Sequence, residues 1–113
     1  MSEIDTDLED DGGVEENNGF EGEIDGQAIV RIGKKPTMNY VLACMTLFNK
    51  GMPEIMVRAR GQSITKAVET VEMLRRAFLK NVNVESVGIG TESIKRDDGS
   101  MTSLSTIEII LAD

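Results

Sequence analysis

The 113-residue chain has no histidine and no tryptophan, one cysteine (Cys44), one tyrosine (Tyr40) and two prolines. Each scarcity removes a class of function. Without His, and with a lone thiol, no soft metal-ligand set can be assembled and no internal disulfide can form. The same lack leaves no nucleophile–base pair of the Ser–His or Cys–His kind. The carboxylates of residues 27–113 read as solvated charge and not as a paired acid and base. Neither catalysis nor a cofactor is expected. No apolar run approaches the roughly 20 residues of a membrane span. The N-terminus is acidic where a signal peptide would be basic and then apolar. A soluble, cytoplasmic protein is the expectation.

The net charge of −8 hides a division. Eleven of the twenty acids lie in residues 1–26, which hold no Lys or Arg, while residues 27–113 set twelve Lys and Arg against nine Asp and Glu, a net of +3. The first segment is rich in acid, Gly and Asn with scattered apolar residues. It buries too little surface to offset the entropy of ordering, so residues 1–26 read as a disordered acidic tail. Residues 27–113 read as one small domain, of a size that oligomerisation would help to stabilise.

Within that domain the periodicity alternates between strand and helix. "QAIVRIG" is a short β run ending at Gly33. Pro36 stands where a first helical turn begins. Met38, Val41, Leu42, Met45 and Phe48 follow at helical spacing, with Gly51 as the stop. "EIMVRAR" alternates Ile55, Val57 and Ala59 against Met56, Arg58 and Arg60, the pattern of a half-buried strand. After Gly61, Ser63 is a candidate N-cap, and Ile64, Ala67, Val68, Val71, Leu74 and Phe78 mark one face of a second helix. On its polar side Glu72 can pair with Arg75 or Arg76. Two further β runs flank a hairpin turn at Asp97, Asp98 and Gly99. The order is β-α-β-α-β-β, an α/β (α+β) sandwich with a four-stranded mixed sheet and two helices.

The positive residues carry the functional signal. Arg58 and Arg60 lie two apart on one strand face, about 7 Å along it, a spacing that suits neighbouring phosphates. Lys34 and Lys35 sit at the preceding strand–helix junction, and neighbouring parallel strands would bring these four charges to equivalent chain ends. Lys95 and Arg96 flank the hairpin turn. Independent solubilising charges are the bland alternative. "VGIGTE" at residues 87–92 does not open a helix, so Gly88 and Gly90 read as a bulge or a close approach, not a phosphate loop.

Three stretches, "IGKKPTMNYVLACMTLFNKG", "EIMVRARGQSITKAVETVEMLRRAF" and "STIEI", resemble in order the Alba family of small archaeal chromatin proteins, from about Ile29 to Leu111. The resemblance implies a homodimer that binds double-stranded DNA and also RNA with little sequence preference, associated with the chromosome or nucleoid. It implies phosphate contacts by the paired lysines after "IG", Lys34 and Lys35, and by Arg60 of "ARG". Lys34 matches a position of acetylation, which brings in an acetyltransferase and a deacetylase as partners, and Phe78 matches an aromatic at contacts between dimers. Gln62 stands where many members carry a further basic residue, and Asp97 and Asp98 stand beside Lys95 and Arg96. The acidic tail is the larger departure.

The reading is therefore a sequence-tolerant DNA/RNA-binding chromatin protein acting through Lys34, Lys35, Arg58, Arg60, Lys95 and Arg96. The rival is a protein–protein assembly module of the same fold, whose acidic tail weakens or replaces nucleic-acid binding by recruiting a basic partner or mimicking DNA.

Overall fold

The computed structural model describes residues 20–24 and 27–113. The expected order is present: strand β2 (Gln27–Arg31), helix α1 (Thr37–Asn49), strand β3 (Glu54–Arg60), helix α2 (Ile64–Met73), and strands β4 (Asn83–Lys95) and β5 (Met101–Ala112). A further strand, β1 (Phe20–Ile24), lies inside the segment that composition assigned to the tail. The rest of that segment is outside the described residues. β1 pairs antiparallel with β2, Ile24 opposite Gln27 and Phe20 opposite Val30. Edge pairing of this kind rests on main-chain hydrogen bonds, which an acidic composition does not prevent.

The sheet runs β1-β2-β3-β5-β4. β2 and β3 are parallel, with Arg31 beside Arg58, and β3 pairs antiparallel with β5 from Glu54–Ala112 to Arg60–Thr106. Both helices cover one face. Ile55, Val57 and Ala59 of β3 and Ile107, Ile109 and Leu111 of β5 meet Val41, Cys44, Val71 and Leu74 in a single core. Full burial of Ile55, Leu74 or Leu111 stabilises by about 1.5–3 kcal/mol each. Cys44 is fully enclosed, and burial pushes its thiol up to about 12, so it serves as a small apolar side chain.

Several local expectations are refined. Gly51, at φ 96°, closes α1, with Met52 N–H donating to Leu47 O at 3.1 Å. α2 gives way at Leu74 to a π-helical turn through Phe78. Of the apolar faces read from spacing, Met38, Leu42, Val68 and Phe78 are 37–48% exposed, because a two-helix layer over a small sheet covers a narrower stripe than the sequence offers. Ser63 precedes α2 within a 3-10 turn (Gly61–Ser63), and its side chain makes no capping bond. The β4 register shift falls at Val84–Ser86, not at Gly88 or Gly90. Gly90 is instead a close approach, since a Cβ there would stand 3.2 Å from Thr106 Oγ1.

Candidate nucleic-acid interface

Parallel pairing of β2 and β3 sends both chains to the same end of the sheet, and each then turns into a helix. The β2 exit carries Gly33, Lys34 and Lys35 into α1. The β3 exit carries Arg58 and Arg60 into the 3-10 turn and α2. Ile32 N–H donates to Arg58 O at 2.8 Å, locking the two exits side by side. Gly61 makes the second turn possible at φ 58°, a left-handed conformation that other residues adopt at a cost, and a Cβ there would also meet Leu104 Cδ2 at 3.5 Å. Both helices begin at this end, so their N-terminal N–H groups add positive potential to that of the side chains.

The β4–β5 hairpin extends from the same end. β3 stops at Arg60 opposite Thr106, whereas β4 and β5 stay paired out to Lys95 opposite Met101. Five more residues at about 3.4 Å each carry the hairpin tip roughly 17 Å beyond the sheet. At the tip Gly99 adopts φ 90°. Arg96 Nη2 donates to Thr102 Oγ1 at 3.1 Å. Ser100 donates to Asp98 through its hydroxyl at 2.7 Å and its N–H at 2.9 Å. Those two bonds, with the Arg96 charge behind them, hold the Asp98 carboxyl below its ordinary range, so the tip keeps a negative charge next to its cations.

The structure thus gathers Lys34, Lys35, Arg58 and Arg60 at one sheet end, with Lys95 and Arg96 on an arm projecting from it. Both arginines are engaged with carboxylates, Arg58 with Glu108 of adjacent β5 and Arg60 with Glu92 of β4, one strand further across the sheet. Arg60 Nη1 is 3.1 Å from Glu92 Oε2 and Arg58 Nε is 3.5 Å from Glu108 Oε2, with every side chain at least 36% exposed. Exposed pairs of this kind contribute about 0–1 kcal/mol, weak enough for a phosphate to compete. Phe78 lies apart, beyond the opposite end of α2, and is 41% exposed.

Sequence reasoning missed two residues that shape this end, Tyr40 and Lys66. The Tyr40 hydroxyl accepts from Gly33 N–H at 2.9 Å and Lys35 N–H at 3.1 Å. Lys66 Nζ donates to Gly33 O at 3.0 Å and Lys35 O at 2.6 Å. Signals were available: Tyr40 is the lone tyrosine and sits on a core face, where its hydroxyl needs a partner. Lys66 is a cation in the first turn of α2, where the helix dipole disfavours one.

The family model for Alba matches residues 28–91, more than half of the chain. The chain belongs to the Alba family. Alba from Thermoplasma volcanium is 41% identical, with a TM-score of 0.72 over 75% of this chain and 99% of that one. ALBA1 from Trypanosoma brucei is 29% identical, with a TM-score of 0.59 over 75% of this chain and 68% of that one. The Alba match spans β2 through the first part of β4, so it contains Lys34, Lys35, Arg58 and Arg60 but stops before Lys95 and Arg96. Alba is generally a family of non-enzymatic binding proteins. Among the described residues no group of His, Cys, Asp and Glu is arranged to hold a metal ion.

Proposed function

We propose that this Alba protein binds double-stranded DNA and RNA with little sequence preference, as a homodimer, through phosphate contacts at the basic sheet end. The observation that carries the reading is the convergence of Lys34, Lys35, Arg58 and Arg60 with two helix N-termini at one end, and a hairpin bearing Lys95 and Arg96 projecting from it. Family membership supports it, because Alba proteins are nucleic-acid-binding proteins. Nothing in this set of groups forms a fixed base-reading pattern, whereas Lys and Arg that displace counterions act on any duplex. Location at the chromosome in the cytoplasm follows from the same reading. Acetylation of exposed Lys34 would remove one of these charges and tune affinity.

Dimer formation is supported by apolar surface that the single chain leaves uncovered: Val87 is 56% and Ile89 85% exposed on β4. A shallow groove beside them is lined by Ile64, Ile89, Thr91 and Ser105. In this reading Phe78 serves contacts between dimers. Titration with labelled duplex DNA and duplex RNA at low and high salt tests the function. The expected result is affinity that falls steeply and linearly in log–log form with salt for every sequence tried. Affinity that is absent at low salt would refute it.

The pairing of Arg58 and Arg60 with carboxylates of the same chain favours a second reading, protein–protein assembly with the acidic tail weakening or replacing nucleic-acid binding. That reading predicts no duplex binding at low salt and capture of basic partners through residues 1–19.

A further inference from the structure

The turn between β2 and α1 presents Lys34 outward, and four backbone groups of its two flanking residues are held by just two side chains. Tyr40, 2% exposed on α1, accepts both N–H groups. Lys66, half-buried on α2, donates to both carbonyls, and its ammonium lies 6.0 Å from the centroid of the Tyr40 ring. Thr70, fully buried one helical turn on, donates within α2 to Lys66 O at 2.8 Å.

We propose that Tyr40 and Lys66 are positioning residues for phosphate recognition: they fix the backbone of Gly33–Lys35 in its binding conformation before nucleic acid arrives. This rests on the phosphate-binding reading of Lys34 and Lys35. A five-residue stretch containing Gly33 and two long flexible side chains would otherwise lose backbone as well as side-chain freedom on binding. With both N–H groups and both carbonyls already satisfied, the backbone of the turn needs no further ordering on binding. The clamp joins the turn to both helices at once, so it also sets the height of Lys34 and Lys35 relative to Arg58 and Arg60. Lys66 spends its charge on backbone carbonyls and acts through the turn, not as a further phosphate ligand.

Tyr40→Phe tests this without altering any charge. Counterion release alone predicts unchanged binding, whereas positioning predicts weaker binding to duplex DNA, by up to about thirtyfold if the net worth of both lost hydrogen bonds is felt in binding, with the salt slope retained. In the free protein, hydrogen exchange at the Gly33 and Lys35 amides should speed up while the core amides stay protected. Lys66→Met should weaken binding similarly, and Lys66→Arg, which still offers donors to two carbonyls, should recover most of it. In a Lys34→Ala/Lys35→Ala background the Tyr40→Phe effect should vanish. Wild-type affinity in Tyr40→Phe, or a loss that persists in that background, overturns the positioning role. If Lys34→Ala/Lys35→Ala itself binds as tightly as wild type, the phosphate reading fails and the positioning role falls with it. The exchange data on the free protein then still report whether the turn is held.

Discussion

If Arg58 and Arg60 contact phosphate as proposed, Glu108 and Glu92 compete with nucleic acid for them, and replacing both by Gln should tighten binding. The geometry sets the size of the effect. Arg60–Glu92 at 3.1 Å and Arg58–Glu108 at 3.5 Å are cross-strand pairs with side chains 36–49% exposed. At that exposure each is worth about 0–1 kcal/mol after solvent screening. Taking roughly half of that range for each pair, releasing both arginines contributes about 1 kcal/mol to binding, or about fivefold; the full range for both caps the gain near thirtyfold. Gln keeps the size and the hydrogen-bonding capacity of Glu, and both sites are exposed strand positions, so the thermal midpoint should move little. Fluorescence anisotropy with a labelled duplex, read at low salt and again near physiological ionic strength, measures the effect. The gain should shrink at the higher salt, where charges are screened beyond about 8 Å. The salt slope should steepen toward two further units, at about 0.9 per phosphate newly neutralised. Unchanged or weaker binding of Glu92→Gln/Glu108→Gln at low salt, with folding intact by circular dichroism, would refute the placement of Arg58 and Arg60 at the phosphates.

Converting Lys34, Lys35 and Arg60 together to Glu should abolish binding to all duplex sequences alike and flatten the salt slope by roughly one unit per contact, with little change in stability; retained affinity would remove these residues from the interface. Ile89→Asp, which puts a charge on the most exposed apolar side chain of β4, should leave the fold intact but shift sedimentation from two chains per particle toward one at tens of micromolar. A particle size unaffected by Ile89→Asp would place the dimer contact elsewhere.

The fold was legible because its signals are local. Period-two and period-3.6 patterns, Pro36, Gly51, Gly61 and the Asp97–Gly99 turn each fix one element or boundary, and the parallel pairing of β2 with β3 follows from a short helical crossover between them. What failed to show was set by neighbours distant in sequence. Val68 and Phe78 lie at helical spacing with buried residues, yet their burial depends on how much of α2 the sheet can cover. The bulge at Val84–Ser86 answers to pairing with β5, and glycine marks no such position there. β1 was hidden by averaging composition over 26 residues, although Asp25–Gly26 between Ile24 and Gln27 is the dipeptide that favours two-residue hairpins. Charge positions in the site could be read from spacing. Their partners could not, since Arg60–Glu92 and Lys66–Lys35 join residues about thirty apart.

The strand that was overlooked also decides where the acidic segment enters the domain. β1 runs antiparallel to β2 with Phe20 opposite Val30, so residues 1–19 join the sheet at the end from which Lys34, Lys35, Arg58 and Arg60 project. Those nineteen residues carry eight Asp and Glu and no Lys or Arg. Val30 is four residues from Lys34, and Glu16 is four residues from Phe20; each span reaches at most about 14 Å, and adjacent strands lie about 4.8 Å apart. On the proposed reading of those cations, carboxylates tethered at such a distance, at an effective concentration on the order of millimolar, would compete with phosphate. General salt adaptation would acidify the domain as well, yet residues 27–113 remain at +3. Removing residues 1–19, which leaves β1 in place to cover the β2 edge, should tighten duplex binding by about tenfold or more at low ionic strength, and less near physiological salt where screening sets in at about 8 Å. Replacing the eight acids by Asn and Gln at constant length should have the same effect, because charge and not bulk is the competitor. Equal binding by full-length and truncated chains at low salt would show that the segment does not reach the basic end, and the lysine pair would then act without intramolecular competition.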